Sequence, residues 1–88
     1  MFRVEWLQSA LDQFTDSWLK ADSPVRQALT AASHQNDREL SHEPMNVGDS
    51  RDLNRRNQFV QPLTVTYEVD AGERMVTVLQ ICVYKPRR

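Results

Sequence analysis

Eighty-eight residues, 40% apolar and 26% charged with two glycines and four prolines, suffice for one domain and exclude a disordered or low-complexity chain. A domain of this size buries roughly 60–65% of its unfolded surface, so it can fold alone with little margin. No apolar run approaches the roughly 18 residues of a membrane span, and "MFRVEWLQSA" has no signal-peptide core, so a cytoplasmic protein is expected.

The formal net charge is −1 and the pI about 6.1. The charges are unevenly placed. Residues 1–50 hold four basic and eight acidic side chains, residues 51–88 seven basic and four acidic. Segregation of this kind hints at an anionic partner for the basic half. One cysteine, Cys82, excludes an internal disulfide and suits a reducing compartment. Its apolar neighbours in "VTVLQICVY" predict a buried structural thiol.

Phe2, Val4 and Trp6 alternate with Arg3 and Glu5, which predicts a short half-buried strand. Leu7, Leu11, Phe14 and Trp18 then recur at helical spacing, a stripe on a helix of about 12–14 residues. Ser9 and Asp12 resemble a capping box at its start. "ADSPV" breaks the chain. Asp22 or Ser23 can cap a second helix with Pro24 in its first turn. Val25, Ala28, Leu29, Ala32 and Leu40 mark its inner side, "SHQNDRE" reads as mostly exposed, and Pro44 ends it. Asp37, Glu39 and Glu43 read as a solvated acidic face, and Trp6 and Trp18 as core.

"EPMNVGDSRDLNRRN" is a polar linker with room for a short strand near Arg51 to Leu53. After it the period becomes two. Residues 57–61 predict one strand. In the next, Leu63, Val65, Tyr67 and Val69 face one way and Thr64, Thr66, Glu68 and Asp70 the other. "DAGE" turns, and Met75 to Tyr84 is apolar on both faces, as in a central strand. The predicted class is α+β in a single domain, residues 1–88: an N-terminal strand, a two-helix hairpin, then an antiparallel meander of three or four strands with the helices on one face. The other face is then open, with Arg56, Gln80 and Tyr84 as candidates to line it.

In this order the chain resembles the RelE/ParE superfamily of type II toxin–antitoxin toxins. "VEWLQSALDQF" is similar to the family's opening strand and helix, and "LSHEPMNVGDSRDLNRR" to its helix–"P…G"–arginine connection. "FVQPLTVTYEVD" resembles its mid-sheet strand and "RMVTVLQICVYKPRR" its last strand with a basic end. The resemblance spans Val4 to Arg88.

In the RNA-cleaving branch it implies a metal-free endoribonuclease, an mRNA interferase in which the 2′-hydroxyl attacks the adjacent phosphate. Such a site must move two protons and stabilise a dianionic phosphorane. An arginine fork suits the second task, and a tyrosine can serve proton transfer. The resemblance places Arg56 and Arg87 on the phosphate and Tyr84 at proton transfer or base stacking, with Arg51, Arg55, Lys85 and Arg88 as nucleic-acid or partner contacts. It implies no metal and no cofactor. His34 and His42 read as surface residues without the further ligands a metal needs. The implied partners are a cognate antitoxin and either RNA with the ribosome or DNA gyrase. A ParE-like, non-enzymatic gyrase inhibitor and an inactive interaction domain of the same fold stand as alternatives. The mild charge favours the gyrase inhibitor. For the basic residues and Tyr84 a solvated strand end or rim is the other reading.

Overall fold

The computed structural model describes residues 1–42, 44, 49–52 and 55–83. The elements are β1 (Arg3–Trp6), α1 (Gln8–Lys20), α2 (Ser23–His42), β2 (Asp49–Asp52), β3 (Arg55–Val60), β4 (Leu63–Asp70) and β5 (Met75–Val83). They form one five-stranded sheet in the order β1-β5-β4-β3-β2. The expected meander is present, antiparallel from β2 to β5. β1, however, joins β5 in parallel, so the sheet is mixed. A parallel pair needs a long crossover, and the helix hairpin begins it.

The core lies between one face of this sheet and the helices. Ala10, Leu29, Ala32 and Leu40 meet Val60, Leu63, Val65, Tyr67, Val69, Val76, Val78 and Ile81. Asp22 caps α2 through Oδ1, which accepts the Val25 N–H at 3.2 Å. At α1 the expected capping box does not form. Leu7 is the N-cap residue without a side-chain cap bond, and Asp12 accepts from Gln8 instead. The Leu7 N–H instead donates to Val78 O at 3.0 Å, tying the helix start to the sheet.

Burial on the helices is shifted from the periodic reading. Leu7 and Leu11 are 43% and 42% exposed. The inner line of α1 runs Ala10, Phe14, Trp18; Leu7 is the N-cap outside the helix, and Leu11 lies about 60° round it from Phe14. On α2, Val25 and Ala28 are exposed, whereas Asn36 is completely buried between Ala32 and Leu40. The acidic run is not a solvated face throughout. Asp37 accepts the Trp6 indole N–H at 3.1 Å, and Glu39 accepts the Gln58 amide. Both tryptophans pack on the core as expected, Trp6 edge-on to Phe14.

β5 carries one irregularity opposite Thr66 and Tyr67, where Leu79 is the extra residue. Before it Val76 and Val78 face the helices; after it Ile81 and Val83 do. The phase shift turns Cys82 outward, and the thiol is exposed rather than buried. β1 stops opposite Val78, and Gln13 of α1 takes over, accepting the Ile81 N–H through Oε1 at 2.9 Å.

Candidate functional site

Residues directly opposite in an antiparallel pair share a face. Leu63, Val65 and Tyr67 are buried under the helices, so their partners Val60, Gln58 and Arg56 lie on that side too. The intervening residues of β3 then stand on the open face. Arg55 lies opposite Glu68, Asn57 opposite Thr66 and Phe59 opposite Thr64. β5 extends these rows with Thr77, Gln80 and Cys82. The face thus presents an arginine–glutamate row, an amide–hydroxyl row of Asn57, Thr66 and Gln80, and an apolar end around Phe59, which is 59% exposed.

Arg55 and Glu68 are both exposed, in a register that brings their Cβ atoms to about 5 Å. An arginine and a glutamate in one row supply a phosphate ligand and a proton acceptor on the same face. At the β1 end, Arg3 pairs with Glu5 at 3.3 Å and reaches Met75 Sδ at 3.5 Å.

The sequence-derived site residues separate on this framework. Arg56 is half-buried on the helix side of β3, not on the open face. The strand begins two residues before the predicted 57, so both arginines join it and alternation sends them to opposite faces. Gln80 is on the open face as expected. Arg51 is described as backbone of β2, while Tyr84, Lys85, Arg87 and Arg88 lie outside the described residues. Glu68, Asn57 and Phe59 were not among the candidates. The alternation of β4 had already turned Glu68 away from the core, but only the register with β3 sets it beside Arg55.

His34 and His42 are exposed, and among the described residues no three potential ligands gather to hold a metal. A groove of about 540 Å³ opens on the helix side, between the α1–α2 turn and the β3–β4 turn, lined by Pro24, Val25, Ala28, Leu29, Pro62 and Val83 among others.

No protein-family model matches the chain, and no curated protein matches it in sequence. Solved structures do. The RelBE2 toxin–antitoxin complex of Mycobacterium tuberculosis is similar at TM-score 0.75 and 18% identity, over 93% of this chain and 90% of that one. The chromosomal ParDE system of P. aeruginosa follows at 0.72 and 15%, over 97% and 98%. This is the RelE/ParE toxin fold. The isolated RelE toxin of E. coli shares it at TM-score 0.64 and 15% identity, over all of this chain and 89% of that one. A RelE and a ParE system are similar to this chain alike in fold, so its chemistry rests on its own side chains.

Proposed function

We propose that this chain is the toxin of a type II toxin–antitoxin pair and acts as a messenger-RNA endoribonuclease through the open face of its sheet. The observation that supports this reading is the Arg55–Glu68 pair. Arg55 would bind the scissile phosphate and stabilise the phosphorane as charge builds. Glu68 would take the 2′-hydroxyl proton. The leaving 5′-oxygen needs a proton donor, the role proposed for Tyr84, with Lys85, Arg87 and Arg88 as phosphate contacts and Arg51 as a further one. A cognate antitoxin would neutralise the toxin with a tail bearing acidic and apolar residues.

The second reading is a ParE-like inhibitor that binds DNA gyrase without chemistry. The charge of the open face favours it. On β1, β3, β4 and β5 that face carries Arg3 and Arg55 against Glu5, Glu68 and Asp70, a weak attraction for RNA.

Induced expression in a host without the antitoxin separates the two. Growth arrest with mapped messenger cuts, abolished in Arg55→Ala and in Glu68→Gln, supports the ribonuclease. Arrest with intact messenger and inhibited supercoiling by purified gyrase supports the inhibitor. Unimpaired growth removes both.

A further inference from the structure

Asn36 is completely buried, and neither its Oδ1 nor its Nδ2 has a hydrogen-bonding partner among the described residues. Its surroundings explain why. On the helix wheel Asp37 lies about 100° to one side of Asn36 and Glu39 about 60° to the other. Asp37 reaches Trp6 on β1 and Glu39 reaches Gln58 on β3, at the two flanks of the sheet. Asn36 therefore points between them at the sheet, where β4 turns Val65 and Tyr67 inward; the Tyr67 hydroxyl donates to Pro44 O, and no described residue bonds the amide. Gln58 repeats the problem on the strand side: its Nε2 is used by Glu39, but its buried Oε1 has no partner among the described residues.

A buried amide without partners opposes docking, since in water both of its polar atoms would be hydrogen-bonded. The N-terminal half of α2 has no such term: Leu29 and Ala32 are its buried residues. The C-terminal half is held by Leu40 and by peripheral bonds, Trp6–Asp37, Gln58–Glu39 and Phe2 N–H to Ser41 O.

We propose that Asn36 makes residues 33–42 of α2 a separately opening segment, which lifts from the sheet under native conditions ahead of global unfolding. Opening hydrates Asn36 and Gln58 and uncovers the helix side of β3, where Arg56 also stands. The device belongs to the fold and is independent of the toxin's target.

Hydrogen exchange of the full chain across a urea series below the unfolding transition tests it. Amides 34–39, which leave out the fraying last turn, are expected to exchange at least about tenfold faster than those of β4 and with little urea dependence. Asn36→Leu, which keeps the branching and the number of side-chain heavy atoms, is expected to slow amides 34–39 about tenfold or more and to raise the thermal midpoint by at least ~4 °C. Exchange of 34–39 at the rate and urea slope of β4 overturns the proposal. So does an Asn36→Leu variant less stable than the parent, the result expected if a bound water satisfies the amide. If Asn36→Leu does not fold, the urea dependence of the parent decides alone.

Discussion

The Arg26 guanidinium sits 4.4 Å from the centroid of the Trp18 ring. From there its Nε donates to Trp18 O at 2.9 Å and its Nη2 to Leu19 O at 3.0 Å. One side chain at the start of α2 thus satisfies two carbonyls at the end of α1 and places a cation against that helix's negative end. Trp18 is fixed from its other edge by its N–H to Thr30 Oγ1 at 3.3 Å. Arg26→Ala should cost about 1.5–3 kcal/mol by urea denaturation, from the lost stacking and two charge-assisted bonds. Arg26→Lys should recover a minority of it, because an ammonium cannot stack and fork at once.

The two leucine environments differ enough to measure. Leu29 is completely buried and Leu11 is 42% exposed. Leu29→Ala should destabilise by about 2.5–4 kcal/mol and Leu11→Ala by less than about 1 kcal/mol. Equal losses would return Leu11 to the core, where helical periodicity alone had put it.

Tyr67 Oη donates to Pro44 O at 2.7 Å in a buried setting, joining the mid-sheet strand to the segment after α2. Tyr67→Phe leaves that carbonyl without its donor and should cost about 1–2 kcal/mol. Its ring packing is kept, so the near-ultraviolet spectrum should still report a folded protein.

Arg55 and Arg56 should separate in function and stability. Arg55 is exposed, so Arg55→Ala should change stability by less than about 0.5 kcal/mol. On the proposed role it should lower cleavage by about 100-fold or more, as loss of one transition-state donor does elsewhere. Arg56→Ala, half-buried against the helix side, should cost about 0.5–2 kcal/mol, read in the same titrations.

Cys82 offers a direct probe of the open face. Its thiol is exposed, so the native protein should react fully with a disulfide-exchange reagent without denaturant. On the proposed function, a target or antitoxin bound on that face should slow the reaction. A thiol that labels only after unfolding would mean that the β5 irregularity at Leu79 does not reverse the strand's phase.

Much of this fold is legible in local pattern. A period of two in Leu63–Asp70 and a period near 3.6 from Ala10 to Trp18 report backbone geometry, which neighbouring residues determine. The same holds for the Asp22–Pro24 helix start, where a short carboxylate and a fixed φ act within one turn. Class, element order and the existence of an open face follow from these, as does the outward direction of Glu68. The sequence by itself could not say which residues meet across strands. That Arg55 rather than Arg56 faces outward depends on a strand start two residues earlier than the pattern shows. That Cys82 is exposed depends on one extra residue in β5, and the parallel pairing of β1 depends on where the helix hairpin returns the chain. Asn36 is the sharpest case. Its neighbours read as a solvated helix, and it is buried because Leu29, Ala32 and Leu40 on the same face press that side of α2 onto the sheet. Such features are set by non-local packing, in which the burial of many apolar side chains overrides the preference of one.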